Sequence, residues 1–194
     1  MKSGDVLGKV PLTFIGAGAM GEAMIGGLLA KRLVTPGAIT AADRHAERLE
    51  VVHRRFHIHT TRDNRAAVRK AGVVVLSVKP QHFAAAAEPL KGKLGGEQTV
   101  FSIIAGLTIG TISQGLAHDA VIRVMPNTPA QIGEGMSVWT ATAAVNAEAQ
   151  AAAKVLLGVM GVEWQVADEH YLDMATALSG SGPAYVFAFI ESLV

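Results

Sequence analysis

Gly16-Ala17-Gly18-Ala19-Met20-Gly21 sets three glycines at the spacing G-x-G-x-x-G, directly after an apolar run over residues 10–15. Each glycine has a physical reason. Gly16 permits a tight turn, Gly18 lets a ligand approach the backbone, and Gly21 lets a following helix sit close to the strand. Backbone N–H groups freed at the start of that helix face outward, where the helix dipole favours negative charge. The chemistry this suits is the binding of a pyrophosphate, and with it a dinucleotide. Such turns also arise for packing alone. Here a strand precedes, a helix follows and a second strand ends in the acid Asp43, the order that dinucleotide binding needs.

Asp43 stands where a carboxylate accepts hydrogen bonds from the adenosine ribose, which favours NAD. Arg44 beside it suits a 2′-phosphate, which favours NADP, and Arg48 is a further candidate. The plainer alternative makes Asp43 an N-cap and Arg44 a solvated helix residue. The sequence leaves NADP or NAD open. Ser77-Val78-Lys79-Pro80 ends a buried strand, and Lys79 there either reaches the cofactor or caps the strand in solvent. Residues 102–108 end the next strand with small residues that leave room for a nicotinamide ring.

The elements that must position these groups alternate short apolar runs with helical patterns, the mark of an α/β protein. Strands are expected over 10–15, 39–42, 57–61, 73–78, 100–104, 120–124, 136–140 and 163–166. Helices are expected over 19–33, 44–56, 81–90, 109–116 and 146–160, with Ala23, Gly26 and Gly27 bringing the first close to the sheet. The run 73–78, almost all apolar and β-branched, reads as a central strand covered on both faces. The fold class is a Rossmann-type, doubly wound, mostly parallel sheet. The expected division is a polar tail over 1–9, a dinucleotide-binding domain over 10–167, and from 168–194 a linker and the first interdomain helix of an incomplete all-α domain.

Composition narrows the function classes. Half of the 194 residues are hydrophobic, and a net charge of +1 gives no electrostatic reason to expect nucleic acid or an acidic membrane as partner. With no cysteine there are no disulfides or thiolate-held metals. His57 and His59 could share a strand face as metal ligands, but with no third ligand evident no metal site is expected. No run approaches the roughly 20 apolar residues that span a bilayer. A cytoplasmic protein acting on a small molecule is expected. After Lys154 the chain carries five acids and no Lys or Arg, and it ends in the apolar 184–190. That ending reads as buried in a partner or as the start of an unfinished domain, with self-association or disorder expected after about Gly182.

Two segments make the reading specific. Arg123-Val124-Met125-Pro126-Asn127-Thr128-Pro129 is a strand end turned by prolines, presenting Asn127 and Thr128 at the sheet edge. Residues 177–185 form a flexible Ser/Gly turn with Pro183 in a favoured first helical position. The amides of that turn suit a carboxylate, or simply a capped helix. Together with the glycine fingerprint and Ser-Val-Lys-Pro, these segments closely resemble pyrroline-5-carboxylate reductase, in the same order over about residues 12–194. The Ser-Gly-Ser-Gly-Pro-Ala-Tyr run carries most of that specificity.

The resemblance implies NAD(P)H-dependent reduction of 1-pyrroline-5-carboxylate to L-proline in proline biosynthesis. It implies that Gly16, Ala17, Gly18, Ala19, Met20 and Gly21 hold the pyrophosphate and that Asp43 meets the ribose or its phosphate, with Arg44 beside it. It also implies that Asn64, Ser77, Val78, Lys79, Pro80, Ile103, Ile104 and Ala105 border the cofactor, and that Glu169 touches the proline product. Without the resemblance, Glu169 is a solvated residue in a first helical turn. Members of this family continue into a helical dimerisation domain carrying the substrate-carboxylate loop, so the catalytic residues, and a homo-oligomer, are expected with a C-terminal segment missing here. His170 and Tyr171 are the nearest titratable groups, and neither is a strong general acid. The rivals are a related β-hydroxyacid dehydrogenase or imine reductase, and a non-catalytic dinucleotide-binding fragment. The first is disfavoured because its interdomain helix typically carries a catalytic lysine.

Overall fold

The computed structural model describes Leu7 and residues 10–193; the rest of the expected tail lies outside the described residues. Leu7 itself is fully buried in the core, which corrects the polar-tail reading at that position.

The strands are β1 (Leu12–Ile15), β2 (Ile39–Ala42), β3 (His59–Thr61), β4 (Val73–Leu76), β5 (Thr99–Ser102), β6 (Val121–Met125), β7 (Gly135–Ala141) and β8 (Gly161–Gln165). They form one sheet in the order β3-β2-β1-β4-β5-β6-β7-β8. The first six are parallel, in the doubly wound order that reverses between β1 and β4. β7 runs antiparallel to β6. Only the nine residues 126–134 separate the two strands, fewer than the dozen or so that a parallel crossover needs.

The helices are α1 (Ala19–Ala30), α2 (Ala46–Phe56), α3 (Asn64–Val68), α4 (Phe83–Ala87), α5 (Ile109–Leu116), α6 (Ala147–Gly158), α7 (His170–Ala175) and α8 (Gly182–Glu191). β1, β4 and β5 are buried at every residue because helices cover both faces of the sheet. One core layer gathers Phe14, Leu28, Ile39, Phe101, Trp139 and Leu157; the other gathers Ile15, Val74, Leu76, Val100, Ile112 and Leu116. The buried Thr13 hydroxyl donates to Ala67 O at 2.9 Å, so the central strand carries its polar side chain satisfied.

Several expectations are corrected. His57 is not in a strand: it closes α2 in the left-handed region at φ 56°, and β3 begins at His59. The single helix expected over 81–90 is a short 3₁₀ turn (Pro80–His82), α4 and a second 3₁₀ turn (Glu88–Leu90). Pro89 lacks the N–H that would continue α4 into the last turn. α3 was not anticipated; Asp63 caps it by accepting from Ala66 N at 3.0 Å. Gly26 and Gly27 do not face the sheet. A Cβ on Gly26 would meet the Phe56 ring at 3.4 Å, and one on Gly27 would meet Val159 at 3.1 Å.

The Ser/Gly segment is not a flexible turn. It is a wide helical turn (Thr176–Gly180) joining α7 to α8, with Pro183 at the start of α8. Hydroxyls stabilise the widening: Thr176 donates to Leu172 O at 2.7 Å, Ser179 to Ala175 O at 3.1 Å and Ser181 to Thr176 O at 2.9 Å. The Ser181 amide also donates to Thr176 O, so it is not held open for a carboxylate. α8 exposes Tyr185, Phe187, Phe189 and Ile190. No helix among the described residues is long and apolar enough to cross a membrane.

Candidate functional site

The chain reverses between β1 and β4, leaving a crevice beyond their carboxyl ends. Gly16 leaves β1 at φ 101°, and a Cβ there would lie 2.8 Å from the Ser77 carbonyl. Only glycine tolerates both conditions. Ser77 then closes the turn, its hydroxyl donating to Gly16 O at 2.6 Å. Gly21 would place a Cβ 2.9 Å from Gly16 O, so α1 starts tight against the strand end. Gly18 differs from both: a Cβ there meets nothing within 4 Å. Its freedom from side-chain bulk serves whatever approaches from outside.

Among the described residues, the amides of residues 18–21 donate to no protein acceptor; the first satisfied amide of α1 is that of Glu22, bonded to Gly18 O at 2.9 Å. The four consecutive unpaired donors, with the helix dipole behind them, begin at Gly18, which lines a cavity of about 660 Å³. Gly16, Gly18, Asp43, Arg44, Asn64, Ser77, Val78 and Lys79 line it. Four segments bring these residues together: the loop after β1, the loop after β2, the start of α3 after β3, and the turn after β4. The size suits a cofactor, and the open cradle at Gly18 with free amides fits a pyrophosphate.

Asp43 is engaged within the protein. Its Oδ2 accepts from Ala17 N at 2.9 Å, and its Oδ1 accepts from His45 N at 3.0 Å and lies 3.1 Å from His45 Nδ1. Burial alone would raise its pKa. The bonds from the Ala17 and His45 amides and from the His45 ring outweigh that and hold the carboxyl below its ordinary value. Arg48 is likewise engaged, donating to Glu22 and to Ala17 O, which removes it as a free anion-binding group. Burial pushes the Glu22 carboxyl up, but hydrogen bonds from Arg48 and Arg55 bring it below its ordinary value. Arg44 has one protein partner among the described residues, the ring of His82. Asn64 donates to Ala86 O at 3.2 Å from the far wall.

Ala17, Ala19, Met20, Gly21 and Pro80 flank the cavity without lining it. Ile103 and Ile104 point into the two core layers, and of the segment 103–105 only Ala105 is exposed. Glu169 lies apart from the cavity. Its Oε1 accepts from Ile109 N at 2.7 Å and from Arg123 Nη1 at 2.7 Å; Asp173 takes Arg123 Nη2 at 3.1 Å. Arg123 is 3 % exposed. This pair of carboxylates pins α7 to the middle of β6. His170 and Tyr171 are exposed on α7. Asn127 folds back, its Oδ1 accepting from Met136 N at 2.9 Å. Sequence reasoning missed His45, Val51 and His82 in the cavity wall.

Residues 11–106 match the family model described as NADP oxidoreductase, coenzyme F420-dependent. Residues 169–194 match the model for pyrroline-5-carboxylate reductase dimerisation. A pyrroline-5-carboxylate reductase of Pseudomonas aeruginosa is 40% identical over 183 residues, covering 94% of this chain and 67% of that protein. The chain belongs to the pyrroline-5-carboxylate reductase family. The solved reductase of Coxiella burnetii superposes with a TM-score of 0.88 at 34% identity, over 95% of this chain and 68% of that one. The pyrroline carboxylate reductase of Plasmodium falciparum, solved with NADP bound, superposes at 0.83 and 27% identity over the same shares. The chain thus spans about two thirds of the length of these reductases.

Proposed function

We propose that this chain is the cofactor-binding part of a pyrroline-5-carboxylate reductase, with residues 10–167 holding the dinucleotide and residues 168–194 opening a second, helical unit. The observation that carries the reading is the row of unpaired amides at residues 18–21, which starts at Gly18 in the cavity wall. These amides hold the pyrophosphate. The cleft binds NADP in preference to NAD. Both Asp43 oxygens already accept from the protein, whereas Arg44 has no carboxylate partner among the described residues and so carries a positive charge for a 2′-phosphate.

Residues 16–21, Asn64 and Arg44 would hold a reduced nicotinamide dinucleotide, which would supply hydride for the C=N carbon of the imine. The residues of the chain bind and orient. Glu169 keeps one oxygen on Ile109 N and Arg123 and leaves the other free to accept from the substrate's N–H, favouring the protonated imine. No strong general acid is needed once the imine nitrogen carries its proton.

The exposed apolar face of α8, in the segment matched to the dimerisation model, supports a homo-oligomer. The cytoplasm is the compartment we assign, on composition. Calorimetric titration tests the cofactor assignment. Arg44→Ala is expected to weaken NADPH about 30-fold, the scale of one charge-assisted contact, and NADH less than about threefold. Equal loss for both cofactors, or none, overturns the assignment of Arg44 to the 2′-phosphate.

A further inference from the structure

His82 and Arg44 stand 38 residues apart in sequence and rise from opposite lips of the cavity, His82 from the turn after β4 and Arg44 from the loop after β2. His82 Nε2 lies 3.1 Å from Arg44 Nη2. A guanidinium can only donate, so the imidazole must accept. That requirement makes Nε2 the acceptor and places the ring proton on Nδ1. His82 Nδ1 makes no hydrogen bond among the described residues, and the ring is half-buried in the cavity wall.

Arg44 is exposed, and nothing else in the described structure holds it. A free arginine head must be ordered each time an anion arrives, at a cost in side-chain entropy. The contact with His82 orders it in advance without neutralising its charge, which a carboxylate partner would do. Asp43 is excluded from that task because its oxygens hold Ala17 and His45.

We propose that His82 is a positioning residue that holds Arg44 across the cleft and so sets the preference for a 2′-phosphorylated dinucleotide over its unphosphorylated form. The proposal rests on the reading of the cleft as a dinucleotide site with Arg44 at the adenosine ribose. The rival role for His82 is a contact with the adenine ring, which both cofactors share.

NADPH and NADH are titrated separately into the natural chain and into His82→Phe, His82→Gln, Arg44→Ala and the double variant His82→Phe/Arg44→Ala. Thermal melts accompany each variant to establish that it folds. Phe keeps the ring and loses the acceptor, and is expected to weaken NADPH about fivefold while leaving NADH unchanged, the scale of ordering one long side chain. Gln keeps an acceptor and is expected to retain NADPH affinity within about twofold of the natural chain. With Arg44 already removed, His82→Phe is expected to have no further effect on either cofactor.

Equal weakening of both cofactors by His82→Phe overturns the proposal in favour of the adenine contact. Undiminished NADPH affinity, or a loss that persists without Arg44, overturns it as well. Failure of the underlying reading looks different: the natural chain then binds neither cofactor, or Arg44→Ala leaves their ratio untouched.

Discussion

Gly18→Asp is expected to fold as well as the natural chain and to bind NADPH at least about 100-fold more weakly, because a carboxylate then occupies the anion cradle. The two effects separate for a structural reason. Gly18 is the N-cap of α1 at φ −69° and ψ −178°, extended backbone that any residue adopts, and its added Cβ meets nothing within 4 Å. An aspartate at that position accepts from the first-turn amides and suits the helix dipole, so the thermal midpoint is expected to hold or rise slightly. The same carboxylate then takes the amides that the pyrophosphate requires and repels its charge. Gly16 offers no such separation, since its φ of 101° and its approach to Ser77 make any side chain there a folding defect. Calorimetry and a melt on the same sample check the prediction. NADPH affinity retained within about threefold in a folded Gly18→Asp chain contradicts the assignment of these amides to the pyrophosphate.

Arg123→Met carries the second large effect, on stability. The guanidinium is 3 % exposed and bonds both Glu169 and Asp173, which are 30 % and 63 % exposed as side chains. Removing it leaves the inner carboxylate with the Ile109 amide alone and unties α7 from β6. Breaking a buried pair from one side typically costs 3–5 kcal/mol; partial solvation of Glu169 argues for the lower end, about 3 kcal/mol. In a chain of this size that lowers the thermal midpoint by about 6–12 °C. Asp173→Asn, on the exposed arm of the same cluster, is expected to cost less than about 1 kcal/mol. Differential scanning calorimetry on both variants checks the contrast, and equal losses contradict the assignment of the anchoring role to the inner pair.

What the sequence made legible is what backbone geometry demands of residue type. The three glycines could be read because a positive φ at Gly16 and close approach at Gly21 leave no alternative. β4 could be read because a strand covered on both faces must be apolar throughout. β2 and α5 fall at their expected bounds, marked by turn residues and by Thr108, which caps α5 by accepting from Thr111 N at 3.2 Å. α3, at five residues, is too short to show a period. The widened turn before α8 depends on three hydroxyls bonding backward, which Ser/Gly composition does not distinguish from a loose loop.

The site was harder to read than the fold because its decisive contacts join distant residues. Asp43 was placed at the right strand end, but its bond to Ala17, across 26 positions, leaves no mark in the sequence. Arg44 and His82 meet only because β2 and β4 flank β1. Arg48, a further candidate in the sequence, is taken by Glu22 from the neighbouring helix, a contact that sequence does not display. Glu169 matched a family position, yet its partner Arg123 lies 46 residues away on a buried strand, where an arginine is not expected without such a partner.

The central claim is that the amides of residues 18–21 receive the pyrophosphate of a dinucleotide. Amide-resolved nuclear magnetic resonance of the chain titrated with NADPH tests it most directly. The account predicts the largest shifts at Gly18, Ala19, Met20 and Gly21, with smaller ones at Arg44 and His82 and none at Ile132 and Glu134. Saturable binding that leaves residues 18–21 unshifted, or that perturbs Ile132 and Glu134 instead, contradicts it.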